Sequence, residues 1–281
     1  MSHVNKPKIS VIIPVYNGAE YLYDCLSCIV NQTYKANEII VVDNNCSDDS
    51  IKIAKSIKNV SIIKEPKQGL SYARNAGFNY ASGDILVRID DDTYAPSDYL
   101  QNLVKVVNNN PNFVGFSGYG TSRYEFIPKI SLLLAWGYYS FTKAYLGYPV
   151  MFGANMAFKA SYWPKVKPLL LNNDLAVHED QDLSLALISV GGNILLTRQL
   201  NVTVQMRAFF SYYKYRKYGL MLHLLKLIDK THPRSTLSTR LPKINSYKRV
   251  WFWLISAWGV YLFYVIVLFR ELLIKLKFIA R

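Results

Sequence analysis

Four runs of strand length and almost unbroken apolar character, each followed by polar residues, constrain this chain more than any other feature. They are 9–15 (ISVIIPV), 38–42 (EIIVV), 60–64 (VSIIK) and 85–89 (ILVRI). Helical spacing between them predicts helices from about residues 17–20 to 31, over 47–56 and over 71–82. Strands buried on both faces read as continuous apolar runs, and their alternation with helices is the pattern of an α/β protein, a mostly parallel sheet with helices on both faces. A chain of 281 residues accommodates one such domain with an appendage.

Open parallel sheets bind ligands beyond the carboxyl ends of their strands. Residues 14–17, 43–49 and 90–92 would all lie there, and Asp90, Asp91 and Asp92 follow directly on the fourth run. Crowded carboxylates repel one another unless a cation intervenes, so a divalent metal is the natural occupant; a solvated acidic loop is the plainer alternative.

The formal net charge of +14 is uneven. Residues 207–249 hold eleven Lys or Arg against the single acid Asp229, with Tyr212, Tyr213, Tyr215 and Tyr218 interleaved. Such a stretch suits either nucleic acid or an anionic membrane surface. The next segment favours the membrane: residues 251–269 (WFWLISAWGVYLFYVIVLF) are nineteen uncharged residues, with Trp251, Trp253 and Trp258 in the first half. A C-terminal hydrophobic membrane-associated helix is expected, with lipid as a partner and nucleic acid not. The basic upstream flank places the N-terminal domain on the cytoplasmic side of an inner or cell membrane. Arg270, Lys275, Lys277 and Arg281 make the downstream flank basic too, which leaves open whether the helix spans or lies in the plane. The run 9–15 is too short for a signal peptide and reads as a strand.

Cys25 and Cys28 have C-x-x-C spacing without a second pair. Leu22, Leu26 and Ile29 share their helical period, so the thiols read as small residues on a packed helix face and not as a redox or metal site.

Six stretches then carry a resemblance: ISVIIPVYN (9–17), QTY with EIIVVDN (32–44), GLSYARNAG (69–77), GDILVRIDDD (83–92), GANMAF (153–158) and HEDQDLSL (178–185). In this order they resemble glycosyltransferase family 2, whose catalytic domain has the Rossmann-like GT-A fold. The resemblance implies a catalytic domain over residues 1–205, with a nucleotide-sugar half to about residue 95 and an acceptor half over 96–205. A basic juxtamembrane segment (206–250) and the membrane helix with its tail (251–281) follow. It implies metal-assisted, inverting transfer of a hexose from a UDP- or GDP-sugar to a glycan or lipid-linked acceptor, in cell-surface polysaccharide synthesis. The Q-x-x-R-W motif of processive members is missing here, so transfer of a single sugar is implied.

By the same resemblance Pro14, Tyr16, Asn17, Asp43, Arg74, Asn75 and Asp90 contact the donor nucleotide. Asp43 would accept from a ring N–H of the base. Asn44, Asn45 and Cys46 replace the residues that often follow in the family, which leaves the base open. Asp92, with Asp90, would hold Mg2+ or Mn2+ against the diphosphate. Asp180 matches the general base, with Asp182 as the alternative. Gly153, Asn155 and Glu179 fall on the acceptor side, where a glycine lets backbone approach closely and an amide offers donors and an acceptor to sugar hydroxyls; an ordinary turn is the alternative. Residues 127–150 suit a packed helix or an interfacial element. A catalytically inactive, membrane-tethered protein of the same fold is the competing reading, and the complete set Asp43, Asp90, Asp92 and Asp180 counts against it.

Overall fold

The computed structural model describes residues 6–122, 136, 137, 139, 140, 143, 148–171 and 179–205. The expected membrane helix, the basic segment before it, His178 and most of 127–150 lie outside these residues. Among the described residues no helix is long and apolar enough to cross a membrane.

The four apolar runs form strands β1 (Ile9–Val15), β2 (Glu38–Asp43), β3 (Val60–Lys64) and β4 (Ile85–Ile89), linked by helices α1 (Ala19–Val30), α2 (Ser50–Ser56) and α3 (Leu70–Tyr80). After β4 come β5 (Thr93–Tyr94), α4 (Tyr99–Asn109), β6 (Gly115–Ser117), β7 (Gly120–Ser122) and β8 (Asn155–Lys159). A short helix α5 (Trp163–Val166), then α6 (Glu179–Ser189), β9 (Ile194–Leu196) and β10 (Val202–Val204) complete the order. The main sheet runs β3-β2-β1-β4-β8-β6-β9, and a small sheet runs β5-β10-β7. Only β8 is antiparallel to its neighbours β4 and β6; the other main-sheet pairs are parallel. The expected α/β sheet is therefore present, extended by an antiparallel insertion.

Side chains alternate across each strand, so Ile12, Ile40, Val42 and Leu86 share one face. There they form one core with Ala73 and Phe78 of α3, Trp163 and Val166 of α5, and Leu183 and Leu187 of α6. Phe78 meets Phe158 and Trp163 edge-on at centroid distances of 5.0 and 5.1 Å. Residues of the other face (Val11, Ile13, Val41, Val87) have no solvent exposure either. Helix α3 lies close on the sheet at Gly77, where a methyl group would come within 2.3 Å of Ile12 Cγ2.

Pro14 explains where the sheet opens. The carbonyls of Ile9 and Val15 accept from Asn37 and Asn44 on the β2 side. By alternation Pro14 faces β4, and a proline has no N–H to offer a ladder. Pairing of β1 with β4 accordingly ends at Ile12 opposite Arg88, whereas pairing with β2 continues to Val15 opposite Asp43. The two central strands part just before their carboxyl ends. Pro14 itself is buried and shapes the crevice from within the strand.

Helix α2 starts three residues later than its periodicity suggests. Side chains hold the preceding loop in a non-helical form: Asn17 Oδ1 accepts from Ser47 N at 2.8 Å, Asp48 Oδ1 accepts from Ser50 N at 3.0 Å, and Asn45 has φ 67°.

At the opposite end of the sheet, Glu38 closes the start of β2. Burial alone would raise its carboxyl, but hydrogen bonds from Ser10, Ser82 and the Gly83 backbone outweigh this and hold it below its ordinary value of 4.5. A carboxylate with a depressed folded-state pKa stabilises the fold above its unfolded-state pKa and loses that contribution as pH falls through the folded value. Glu38→Gln is therefore expected to cost about 1–2 kcal/mol at neutral pH. The difference from wild type should shrink in thermal melts taken through the acidic range below 4.5. A pH-independent difference would contradict the assignment.

Candidate active site

On the first side of the crevice, the loops after β1 and β2 are cross-linked. Gly18 N donates to Ser50 Oγ at 2.9 Å, Ala19 N donates to Asp48 Oδ2 at 3.0 Å, and Asp43 Oδ1 accepts from Cys46 N at 2.8 Å. Asn44 is buried and ties the end of β2 to the loop before α3, donating to Glu65 O and Lys67 O and accepting from Gly69 N at 2.8 Å. Asn44 thus has a structural use at this turn. Tyr16, 56% exposed, and the exposed Asn17 with its φ of 52° stand at the end of β1, and Asp43 at the end of β2 is half-buried. These are the positions the sequence placed around a nucleotide.

The second side is built around a residue that the motif reading passed over. Arg88 lies in the middle of β4, on the face of Leu86, with Ile12 and Met156 beside it on β1 and β8. Its side chain is 1% exposed and donates to two carboxylates: Nη1 to Glu179 Oε1 at 3.0 Å and Nη2 to Asp90 Oδ1. A buried charge costs several kcal/mol unless paired, so both partners are obligatory. The sequence did hold a signal, a lone cation inside an apolar strand that runs straight into Asp90.

A second buried arginine converges on the same turn. Arg74 on α3 is fully buried, donates from Nη1 to the Glu179 carbonyl at 2.5 Å and holds Asn75 Oδ1 through Nε and Nη2. The Arg74 guanidinium thus holds the start of α6, and Asn75, half-buried, is the member of the pair nearer solvent.

Glu179 and Asp180 open α6. The turn at Gly153 passes close over them, such that a methyl group there would meet Arg88 Nη1 at 2.7 Å, Glu179 Oε1 at 3.1 Å and Asp180 Oδ2 at 3.4 Å. A side chain there would press first on the Arg88 guanidinium, so a glycine lets this backbone lie close over the paired groups. Asn155, by contrast, is completely buried: Nδ2 donates to Leu200 O at 2.5 Å and Oδ1 accepts from Tyr99 Oη at 2.7 Å. Both ends of the amide hold the turn to α4 and to Leu200. Ser184 Oγ adds a tie from α6 to Met151 N at 2.9 Å.

Asp90, Asp91 and Asp92 have different surroundings. Asp91 is buried with its carboxyl packed on Gly18, where any side chain would collide with Oδ2. It is therefore not solvent-facing. Asp90 is pushed up to about 7 by burial and by the charges of Asp92, Glu179 and Asp91, against the pull of Arg88. The Asp90 side chain keeps 34% of its surface exposed. Asp92 is 7% exposed. Among the described residues no three His, Cys, Asp or Glu converge as a protein-only cage. Two strand-end carboxylates fit a hard divalent cation whose remaining ligands are phosphate and water, the usual habit of Mg2+.

The cysteines are free and serve packing: Cys25 is buried in α1, its thiol raised by burial and by the nearby Asp91 charge, and so held in its unreactive form.

The sequence model for the family described as glycosyl transferase family 2 matches residues 10–162. More than half of the chain is covered, and the chain belongs to this family. It is 40% identical over 104 residues to the glycosyltransferase GlyA of Streptococcus pneumoniae serotype 4, a match covering 36% of this chain and 15% of that protein. The chain spans less than half the length of the curated relatives it matches. Its fold is similar to mannosyltransferase PcManGT from Pyrobaculum calidifontis, solved in complex with GDP-Man and Mn2+, with a TM-score of 0.61, 23% identity and coverage of 82% of this chain and 66% of that one. It is also similar to S. aureus TarS 1–349, solved with UDP-GlcNAc, with a TM-score of 0.56, 16% identity and coverage of 70% and 58%. The GT-A fold expected from the motifs is thereby established.

The two candidate bases separate on burial. Asp182 is 4% exposed and its Oδ2 accepts from Leu171 N at 2.8 Å, a structural bond, whereas Asp180 is half-buried beside Gly153. Asp182→Ala is expected to lose about 1–3 kcal/mol of stability by leaving that amide unpaired. Asp180→Asn is expected to melt like wild type, so the reverse order in thermal melts would contradict this division of roles.

Proposed function

We propose that this protein transfers a single hexose from a nucleoside-diphosphate sugar to a glycan or lipid-linked acceptor, with inversion at the anomeric carbon. The observation that carries the reading is the convergence of Asp90, Arg88, Glu179 and Asp180 under Gly153 at the carboxyl end of β4. The nucleotide-side loops of Asn17 and Asp43 close the ends of the neighbouring strands. Complexes of similarly folded proteins with GDP-Man and Mn2+ and with UDP-GlcNAc support a nucleotide-sugar as the donor, with the base left between guanine and uracil.

In this reading Asp43 accepts a hydrogen bond from the base, and Asp90 and Asp92 are the residues that would hold Mg2+ or Mn2+. Bound there, the cation supplies positive charge to the departing nucleoside diphosphate, so no protein acid is needed. Asp180 takes the proton of the acceptor hydroxyl as its oxygen bonds to the anomeric carbon and the bond to phosphate breaks. One displacement inverts the centre. Gly153 gives the acceptor room to come within reach of Asp180.

Attachment to a cytoplasmic membrane face through residues 251–281, and a place in cell-surface polysaccharide synthesis, belong to the same proposal; the apolar sequence of 251–269 supports the first.

The test is release of nucleoside diphosphate from UDP-Glc, UDP-GlcNAc and GDP-Man in the presence of Mn2+, with water or glycan acceptors. Wild type should consume donors of one base, and Asp180→Asn should lower turnover by about 100-fold or more. Asp92→Asn should raise the Mn2+ concentration required. Full activity in both variants would contradict the assigned roles.

A further inference from the structure

Arg88 has a placement that the transfer chemistry itself does not require. It sits in the central strand of the sheet, and its neighbours along the strand are wholly buried. Instead, one guanidinium spans the two halves of the site: one arm on Asp90 at the end of β4, the other on Glu179 at the start of α6. These partners are 91 residues apart from Arg88 in one case and two in the other, so the link is tertiary on the α6 side and local on the donor side. Arg74 reinforces the α6 side by holding the Glu179 carbonyl. With side chain and carbonyl of Glu179 both fixed from the nucleotide half, the direction in which α6 leaves the sheet is set, and Asp180 is the next residue.

We infer that Arg88 is a positioning residue, which uses its two carboxylate partners to hold Asp180 at a fixed place relative to the donor end of β4. The inference rests on the glycosyltransferase reading above. A planar, forked guanidinium can serve two carboxylates at fixed angles, which a lysine ammonium, a point charge on a flexible stem, cannot. The group needing accurate placement is the base, because a shift of about 1 Å between base and acceptor is costly to turnover and leaves donor binding largely intact. The loss should therefore fall on kcat and not on the donor KM.

The experiment compares wild type with Arg88→Lys, Glu179→Gln and the double variant, using UDP-Glc, UDP-GlcNAc and GDP-Man with Mn2+. Thermal melts establish folding, and nucleoside diphosphate release gives kcat and KM. Each single variant is expected to lose about tenfold or more in kcat, the scale of a lost supporting hydrogen bond. Donor KM should stay within about threefold of wild type in Glu179→Gln, which leaves the Arg88–Asp90 pair in place. The double variant should be no worse than the poorer single one, because both changes cut the same link. Glu179→Gln keeps an oxygen for Arg88 and so tests the inference even if Arg88→Lys does not fold. Wild-type kcat in Glu179→Gln, or losses that multiply in the double variant, would overturn the positioning role. A wild-type protein neither stabilised by nor active on any of the three donors would overturn the donor-site reading, and this inference with it.

Discussion

A guanidinium withdrawn from water has to be neutralised where it lies, and in this protein that requirement organises the site. Arg88 is placed under the crevice by the period of β4, and its charge draws Asp90 and Glu179 to it from different parts of the chain. The start of α6, the turn at Gly153 and the first aspartate of the DDD run are thereby held in one arrangement. The rest of the site adds restraints to that centre: Arg74 from α3, Ser184 within α6, and the Asn155 amide below the turn.

The crevice exists because the sheet stops pairing at a defined place. Pro14 cannot extend the ladder toward β4, so β1 and β4 diverge while β1 and β2 remain paired to Asp43. Asp91 packs on Gly18 and thereby locks the turn after β4 against the start of α1. The aspartates on either side are thus left for different work. Carboxylates gathered at such a gap, with one of them driven up by burial and by its neighbours, form a site whose charge is best balanced by a cation.

The first half of the fold was legible because β1, β2 and β4 are buried on both faces and announce themselves as apolar runs, while the edge strand β3, only partly buried, is marked by Val60, Ile62 and Ile63. β6, β9 and β10 have three residues each, too few for a period, and their places in the sheets come from partners far along the chain. The placement of candidate residues was legible where a motif supplies a strand end, as at Asp43 and Asp90. The partners of buried polar groups were not: those of Arg74 and Asn155 lie 105 residues away at Glu179 in one case, and 56 and 45 residues away at Tyr99 and Leu200 in the other. Arg88 was missed for another reason, since a residue inside a strand run was taken for part of the core, which it is, while its charge makes it part of the site.

The most direct test of a nucleotide-sugar site at the ends of β1, β2 and β4 is a thermal-shift titration of the detergent-solubilised 281-residue protein with UDP and with GDP, each with and without Mn2+. A ligand that binds only the folded state raises its melting temperature. The account predicts a saturable rise with one of the two nucleotides that depends on Mn2+. No rise with either nucleotide, with metal present, would contradict it.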